Sequence, residues 1–535
     1  MRLEIELVDG GRGGPAPDLP PVRISPPRRR GLDRFEWSVL LAFSAVSLFV
    51  LGADLWQVIV NGRVWTGTDG VYIVDQMQYL AWITDASKHI LASNLFVLRD
   101  TPGDYFNPAV VVSGGLTALG MAPWLSLLLW KPVAVIGFFF AVRGFAYRLL
   151  NGVWPRRAAL VLALFFGSFT NVYGSFSVLG DLFPGFLTWG YVFGVMALAA
   201  MVWALVAHHD SRLNGRRIWL AGLLGGLASL LHPWNGELLI GVVLTAEVVL
   251  AFGRRYERAH VKLTIATVVG TGIPLLYYAI LDKTDISWKL AQAASKHAFS
   301  FWSITIAIVP LLVPAAIAYT RRPTTFLAAA TRTWPVAAYV IFVLSGTSLG
   351  ATPLHSFQGI TIPLAVLAVE GLQIIGWQRL QRPVLAGAVL VALFTIPATF
   401  EELKIAKGLA APTPDNANFI TSDERNALDY LAQLKQPGSV MTRSYLGAVV
   451  PGKTGRRTYV GDCLWSEPSC LGLSYNAQWL FTATPQIPAA RSFVLSSGAR
   501  FVLADCDTTA DMTKVLGPLI RSAHEFGCAA VYEVQ

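Results

Sequence analysis

The feature of this 535-residue chain that most limits its fold is a succession of long apolar segments. Hydrophobic residues make up 54% of the chain and charged residues only 14%, which is not the composition of soluble domains. A helix of about 20 apolar residues spans a bilayer. We predict eleven such helices, at about 37–59, 123–147, 158–176, 185–207, 218–231, 234–252, 262–281, 302–320, 335–350, 357–377 and 383–399. The composition therefore predicts a polytopic α-helical membrane protein and excludes a disordered, coiled-coil or disulfide-dense secreted chain.

Polar regions flank and interrupt these segments. Residues 1–36 are basic and rich in proline, so we expect a disordered cytoplasmic tail. The transmembrane domain, 37–400, contains a large first external loop at 61–122, where no long apolar run occurs. Within this loop, the helical spacing over 74–90 predicts an amphipathic helix lying at the membrane surface. A second segment, 108–119, is too short to span a bilayer.

The placement of positive charge predicts the orientation of the chain. Loops on one side of the predicted helices carry fifteen Lys and Arg residues, and loops on the other side carry six. Because basic loops stay in the cytoplasm, the N-terminus is expected there, with the C-terminus outside the plasma (inner) membrane. The net charge of +9 therefore reflects the basic residues of the cytoplasmic loops, and no nucleic acid is expected as a partner. Glu247 and Glu370, in the inner halves of their helices, are expected to pair with nearby arginines.

Residues 401–535 have the composition of a soluble extracytoplasmic α/β domain. Thr421 and Glu424 form a capping box ahead of a predicted helix over 423–435. Further elements are predicted from the apolar patterns: strands at 439–442, 458–460, 501–504 and 529–534, and a helix near 512–525.

All four cysteines lie in this domain, as expected for a domain in an oxidising compartment. The simplest pairing joins Cys463 to Cys470 and Cys506 to Cys528, which is one of three connectivities. A zinc site is the alternative, but no CxxC motif and no paired histidines support it.

Polar side chains at the outer ends of the helices are the candidate site residues. A charge at the centre of a membrane helix costs roughly 2.5–3.5 kcal/mol on insertion scales. Polar groups in and beside the bilayer therefore indicate a structural or functional role. The candidates are Asp69, Asp75, Tyr79, Asp104 and Asn107 in the first loop, Lys131 in the second predicted helix, His232 and Glu237 between the fifth and sixth, and His355 and Gln358 at the tenth.

Several of these residues lie in stretches that resemble the GT-C superfamily of membrane glycosyltransferases. The stretches are Asp75-Gln-Met-Gln-Tyr79-Leu80, Ser93-Asn94-Leu95-Phe96, Phe106-Asn107-Pro108, Leu231-His232-Pro233, Phe357-Gln358-Gly359 and Ile362-Pro363-Leu364. The resemblance covers roughly 70–380. It implies an enzyme that moves a sugar from a polyprenyl-phosphate donor to a hydroxyl of a glycan or glycolipid acceptor, with inversion. It further implies that a carboxylate of the first loop is the general base.

The resemblance suggests Asp75 as that base; the alternative is a solvated or helix-capping residue. Lys131 is a candidate for the donor phosphate, or else it pairs with a buried carboxylate or reaches to the interface. Asp69 is a candidate partner, metal ligand or turn residue. The sequence predicts no specific cofactor, and a divalent metal is kept as an alternative. Tyr79, Asp104, Asn107, His232, Glu237, His355 and Gln358 are candidate substrate-binding residues, with structural roles as the alternative.

Two other functions fit a membrane chain of this kind: a transporter or flippase of lipid-linked sugars, and a non-catalytic scaffold. Transporters usually contain internal repeats and polar residues near the bilayer midplane. This sequence has no evident repeat, and its polar candidates gather at the outer face, which favours the enzyme. Membrane lipids are expected neighbours. In the C-terminal domain, Trp465, Tyr475 and Trp479 offer stacking faces for an acceptor glycan or belong to the core.

Overall fold

The computed structural model describes residues 31–69, 71–167, 182–253, 258–295, 300–345, 353–411, 416–482 and 486–534. Most of the predicted tail, 1–30, lies outside these ranges. The helices are α1 (Arg34–Asn61), α2 (Ile73–His89), α3 (Pro108–Ala118), α4 (Pro123–Leu128), α5 (Trp130–Leu149), α6 (Val153–Phe165), α7 (Pro184–Leu187), α8 (Val192–Asn214), α9 (Leu220–Leu231), α10 (Pro233–Phe252), α11 (Arg258–Thr284), α12 (Ile286–Ser295), α13 (Phe301–Ala318), α14 (Phe326–Leu344), α15 (Thr361–Ile374), α16 (Pro383–Leu409), α17 (Ser422–Gln433), α18 (Ser444–Thr454), α19 (Cys470–Thr482), α20 (Ile487–Ser497) and α21 (Met512–Leu516).

The predicted fold class, a polytopic helical membrane protein with a C-terminal sheet domain, is confirmed. Nine helical segments of the described residues are long and apolar enough to cross a membrane, with α4 and α5 forming one of them. They match nine of the eleven predicted segments. Of the other two, 218–231 is the 12-residue helix α9. The segment 158–176 begins in α6 and continues into 168–181, outside the described residues.

Two arginines and the C-terminal domain lie at opposite ends of α1. Near the start of α1, Asp33 pairs with Arg157 and Glu36 with Arg143. At the other end of α1, strand β1 (Val64–Trp65) pairs antiparallel with β2 (Phe419–Ile420). We call this second end of the bundle, which carries the first loop and the C-terminal domain, the upper end.

Two acidic residues in the membrane domain have the partners expected of them. Glu247 pairs with Arg212, and Glu370 lies 2.6 Å from Arg332. These predictions are confirmed. A buried charge that is paired and hydrogen-bonded avoids most of the penalty for leaving water.

The predicted first-loop helix is present as α2, and protein covers most of its surface. All eleven residues from Gln76 to Ala86 are buried. Helix α18 of the C-terminal domain covers one side, where Thr84 Oγ1 donates to the Gly452 carbonyl at 2.8 Å. Polar groups that would face water on a surface helix are bonded to protein instead: Asp85 accepts from the amide and hydroxyl of Ser93, each at 2.8 Å.

The C-terminal domain contains a four-stranded mixed sheet in the order β3-β4-β6-β5. Its strands are β3 (Val440–Met441), β4 (Phe501–Ala504), β5 (Ile520–Phe526) and β6 (Ala529–Val534). Strand β3 is parallel to β4, and the other neighbours are antiparallel. Helix α17 carries the predicted capping box of Thr421 and Glu424.

Two predictions for this domain need correction. The predicted helix over 512–525 ends at Leu516, because Gly517 adopts φ +49° and Pro518 follows it. Residues Gly517–Leu519 form a 3-10 turn. From Ile520 the chain is β5, which pairs with β6 in a hairpin that the local apolar pattern does not predict. The predicted strand at 458–460 is a single bridge from Thr458 to Val440.

The four cysteines lie at disulfide distance in the simplest predicted pairing, which is confirmed. Cys463 and Cys470 have Cα atoms 4.9 Å apart, and Cys506 and Cys528 have Cα atoms 4.7 Å apart.

Candidate functional site

Asp75 lies in the first turn of α2, where the first loop, the membrane domain and the C-terminal domain meet. Its side chain is partly exposed. The N-cap of α2 is Tyr72 and not Asp75, so the helix-capping alternative does not describe it. A carboxylate in the first turn of a helix is stabilised by the positive end of the helix dipole.

Gln76, the next residue, holds the chain that leads into α2. Its Oε1 accepts from the amide of Asp69 at 2.8 Å, and its Nε2 donates to the Val71 carbonyl at 2.5 Å. Gly190 lies against this clamp with φ +94°, and a Cβ there would lie 2.1 Å from Gln76 Nε2. Only glycine combines that conformation with so close an approach. The start of α2 is thus fixed against the segment before α8.

A buried cluster of aromatic and polar side chains adjoins the start of α2 on the membrane side. The ring of Tyr72 lies 5.6 Å from that of Tyr191. The Tyr191 hydroxyl is 2.7 Å from His232 Nε2, and His232 Nδ1 is 2.8 Å from Asn235 Oδ1. Because the amide oxygen of Asn235 can only accept, His232 carries its proton on Nδ1 and accepts from Tyr191 through Nε2.

The second predicted histidine joins the same cluster. The rings of His232 and His355 lie 4.9 Å apart, and Gln358 Nε2 is 3.0 Å from His355 Nδ1. Gln358 Oε1 and Asn235 Nδ2 are buried and form no hydrogen bond with the described residues. The structure thus brings His232, His355 and Gln358 together, as their shared position at the outer face suggested. We call Tyr191, His232, Asn235, His355 and Gln358 the histidine cluster.

Lys131 forms a buried ion pair with Asp69. Its Nζ also donates to the Thr188 carbonyl at 3.0 Å. This geometry matches the alternative in which Lys131 pairs with a buried carboxylate. Asp54 of α1, which is fully buried, lies within electrostatic reach of both charges. Sequence reasoning missed Asp54, although an acidic residue inside an apolar span is itself a signal.

Asp104 and Asn107 lie farther along the first loop. Burial and the nearby charge of Asp285 raise the pKa of Asp104 to about 6. Asn107 caps α3 through its Oδ1 and donates from Nδ2 to the carbonyls of Leu230 and Leu231, at 3.2 and 3.4 Å. Asn107 therefore fixes the turn that presents His232.

Tyr79 and Glu237 are less closely tied to the cluster. The buried ring of Tyr79 packs 4.7 Å from Phe193 of α8. Glu237 is half-buried near the start of α10 and forms no hydrogen bond or ion pair with the described residues.

On the other side of α2, the C-terminal domain contributes a carboxyl group that sequence reasoning missed. Asp462 is fully buried, and its Oδ1 accepts from the Leu464 amide at 2.8 Å. Burial and the charge of Asp75 hold the pKa of Asp462 well above its usual range. Nothing local in the sequence distinguishes Asp462 from a surface aspartate.

The candidate stacking residues of the C-terminal domain have different environments. Trp465 is buried between Trp82 and Trp288, with ring centroids 5.4 and 4.9 Å away, so it belongs to the interface with the first loop. Trp479 packs 6.2 Å from Phe493. Tyr475 is 72% exposed.

The described residues do not assemble a metal site around Asp75. Asp69, the other candidate ligand, is engaged by Lys131. In the described part of the chain, the one group of three ligand-type side chains close enough to share an ion is Asp423, Cys506 and Cys528, and both cysteines are in a disulfide. We therefore derive no step through a metal.

Comparison with known proteins identifies the fold. No protein-family model matches the sequence. No curated protein matches it either. Among solved structures, the arabinofuranosyltransferase AftD from Mycobacteria is 13% identical, with a TM-score of 0.57 over 94% of this chain and 40% of that one. The oligosaccharyltransferase AglB from Archaeoglobus fulgidus is 14% identical, with a TM-score of 0.53 over 89% of this chain and 70% of that one. The GT-C fold implied by the sequence motifs is thus confirmed.

Proposed function

We propose that this protein, which has the GT-C fold, is an integral-membrane glycosyltransferase. Its donor is a polyprenyl-phosphate-linked sugar, and its acceptor is a hydroxyl of a cell-envelope glycan or glycolipid. The observation that carries the proposal is the position of Asp75, a partly exposed carboxylate in the first turn of α2, whose N-cap residue Tyr72 contacts Tyr191 of the histidine cluster. The two proteins of similar fold support the class: one is an arabinofuranosyltransferase, and the other is an oligosaccharyltransferase described in complex with a dolichol-phosphate.

The transfer proceeds by one displacement. Asp75 accepts the proton of the acceptor hydroxyl while the acceptor oxygen bonds to the anomeric carbon from the face opposite the phosphate. The bond from that carbon to the phosphate oxygen breaks, and its electron pair stays on the phosphate. The products are the inverted glycoside, polyprenyl phosphate and protonated Asp75, which then returns its proton to solvent. A positioned carboxylate can contribute about 10²–10⁴-fold to such a step.

The histidine cluster is the proposed donor site. His355 and Gln358 offer nitrogen donors, and the buried Oε1 of Gln358 and Nδ2 of Asn235 have no partner among the described residues. The nitrogen donors suit the oxygens of a phosphate or a sugar, and Gln358 Oε1 suits the hydroxyl of a sugar. Tyr79, Asp104 and Glu237 are further proposed contacts of the donor. We assign Lys131, Asp69 and Asn107 to holding the first loop in place, since their polar groups are engaged within the protein.

The proposed location is the plasma (inner) membrane, with the N-terminus cytoplasmic and the upper end extracytoplasmic. Two observations support this orientation. Arg143 and Arg157 lie at the end of α1 opposite the C-terminal domain, where a basic cytoplasmic loop would lie. The C-terminal domain also carries two cysteine pairs at disulfide distance, which suits an oxidising compartment.

The test is transfer by the purified full-length protein in lipid nanodiscs, using a panel of polyprenyl-phosphate pentoses and hexoses with envelope glycan acceptors. We expect Asp75→Asn to reduce turnover by about 100-fold or more. Asp100→Asn is the matched control, because its side chain lies in the same loop and is 96% exposed. Wild-type turnover by Asp75→Asn would overturn the mechanism. Movement of lipid-linked sugar across a bilayer without any transfer would instead support a flippase.

A further inference from the structure

Helix α9 packs along α8 but is much shorter than that helix. The two helices meet at the histidine cluster, where the ring of His232, after α9, lies 5.4 Å from the ring of Tyr191, before α8. Helix α8 has 23 residues and α9 has 12. With a rise of about 1.5 Å per residue, α9 is shorter by roughly 16 Å. The lower part of α8, away from the histidine cluster, therefore extends beyond α9.

A groove of about 1310 Å³ lies beside this lower part of α8, between the end of α5 and the start of α9. Its apolar walls come from Trp203 and Val206 of α8 and from Leu220 and Leu224 of α9. Helix α8 is long and apolar enough to cross a membrane. The walls of a groove on such a helix therefore suit a lipid acyl chain, because contact between the two buries apolar surface of both.

The charged side chains of the groove belong to the end of the bundle opposite the C-terminal domain. Arg148 lies in the last turn of α5, after Arg143, which pairs with Glu36 near the start of α1. Arg148 Nη2 lies 3.0 Å from Asp210 Oδ2 of α8. Asp210 is the one acidic residue among the described residues that line the groove. The negative charge of the groove is therefore already paired.

Two further arginines of the groove, Arg216 and Arg217, lie in the turn that joins α8 to α9. Both residues are exposed, and their side chains form no hydrogen bond or ion pair with the described residues. With three arginines and one aspartate, the groove carries a net charge of +2. This charge favours an anionic ligand.

Hydrogen bonds to α8 fix the turn that carries these two arginines. The amide of Gly215, at φ +63°, donates to the Ser211 carbonyl at 2.8 Å. Ser211 Oγ donates to the Arg217 carbonyl at 3.3 Å, and Arg217 adopts φ +55°, which is uncommon for a non-glycine residue. Trp219 of the same turn is 59% exposed, and exposed tryptophans are typical of the membrane–water interface. The turn thus presents two cations at the level expected for lipid headgroups.

We propose that this groove binds an anionic phospholipid of the surrounding bilayer, with its phosphate at Arg216 and Arg217 and an acyl chain along the apolar walls. Charge and shape both support this occupant. A free phosphate gains nothing from the apolar walls, and a zwitterionic phospholipid adds a cation to a groove that is already positive. Basic pockets between membrane helices commonly bind anionic headgroups. The inference does not depend on the role of Asp75.

Native mass spectrometry of the full-length protein in detergent measures the binding directly. The probes are phosphatidylglycerol and phosphatidylcholine with the same acyl chains, and we expect phosphatidylglycerol to bind more tightly. Arg216→Gln/Arg217→Gln should weaken its binding about 25-fold, and each single change about fivefold, which is the contribution of one arginine near a membrane surface. Binding of phosphatidylcholine should not change.

Arg321→Gln/Arg322→Gln is the matched control, because these two arginines are also consecutive and exposed but do not line the groove. Its affinity for phosphatidylglycerol should equal that of the wild-type protein. Equal affinity of the wild-type protein for the two lipids would overturn the proposal. An unchanged affinity for phosphatidylglycerol in Arg216→Gln/Arg217→Gln would do the same.

Two further probes separate the lipid from other sources of phosphate. Displacement of phosphatidylglycerol by inorganic phosphate, but not by chloride at equal ionic strength, would assign the groove to a free anion. Polyprenyl phosphate that binds more tightly than phosphatidylglycerol, and loses this advantage in Arg216→Gln/Arg217→Gln, would assign the groove to the carrier lipid. Either result would overturn the assignment to a phospholipid.

Discussion

Lys131 of α5 and Asp69 of the first loop form a buried ion pair that fastens the loop to the membrane domain. The side chains of both residues are less than one-tenth exposed. A buried ion pair is sensitive to the loss of either partner, because the remaining charge is then buried without a counter-ion. Asp69 lies in the segment that leads into α2, and its amide donates to Gln76 of that helix, so the pair also supports the start of α2.

We expect Lys131→Met to lower the free energy of unfolding by about 3 kcal/mol, because it leaves the Asp69 carboxylate buried without a counter-ion. The double variant Lys131→Met/Asp69→Asn should recover most of that loss. Thermal denaturation of the purified protein in detergent measures both. Lys453→Met, at an exposed pair with Asp429, is the control and should change stability by less than about 1 kcal/mol. A stable Lys131→Met variant with weakened donor binding would favour the phosphate-binding role.

We expect Tyr191→Phe to reduce kcat/KM by about tenfold, which corresponds to the loss of one hydrogen bond of about 1.4 kcal/mol. The hydroxyl of Tyr191 is 2.7 Å from His232 Nε2, so the substitution removes the hydrogen-bond partner of that nitrogen. Steady-state kinetics with varied donor concentration make the measurement. Tyr475→Phe serves as the comparison, since that residue is 72% exposed. Unchanged kinetics in Tyr191→Phe would argue that the histidine cluster is only structural.

The stability of the protein should depend on Asp104 between about pH 4 and pH 6. Burial and Asp285 raise the pKa of Asp104 to about 6, above the value of an unfolded aspartate. In this window the folded state therefore binds more protons, and the contribution of Asp104 to stability falls as pH rises. Asp104→Asn removes that dependence, so it should raise the melting temperature more at pH 7 than at pH 4. Asp100→Asn, at an exposed site, should leave the dependence as it is. An equal effect at both pH values would contradict the assignment.

Loss of the two disulfides should have different consequences. The bond from Cys506 to Cys528 closes a longer loop than the bond from Cys463 to Cys470, with separations of 22 and 7 residues. We expect double serine variants to lower stability by about 3 and about 2 kcal/mol, respectively. Thermal denaturation of the purified variants measures both losses.

Thiol titration of the native protein provides the independent check. It should find no reactive thiol before reduction and four after it. Four free thiols in the untreated protein would contradict the extracytoplasmic placement of this domain.

Local pattern in the sequence determined the elements that depend only on neighbouring residues. Apolar runs predict the membrane helices because a backbone in lipid must satisfy its own hydrogen bonds. The capping box of Thr421 and Glu424 and the pairing of nearby cysteines are likewise short-range features. The same reasoning failed for 512–525, because β5 exists only through its pairing with β6.

The composition of the candidate site was decided by tertiary structure. The sequence indicated His232 and His355 separately, but only helix packing sets their rings 4.9 Å apart. Helix α2 has the pattern of a surface helix and is buried because another domain covers it. Asp462 acquires its properties only in the fold, which removes its carboxyl group from water and brings it within range of the charge of Asp75. Charge, burial and proton affinity depend on neighbours in space, so the sequence determined which groups are available and the fold determined what each can do.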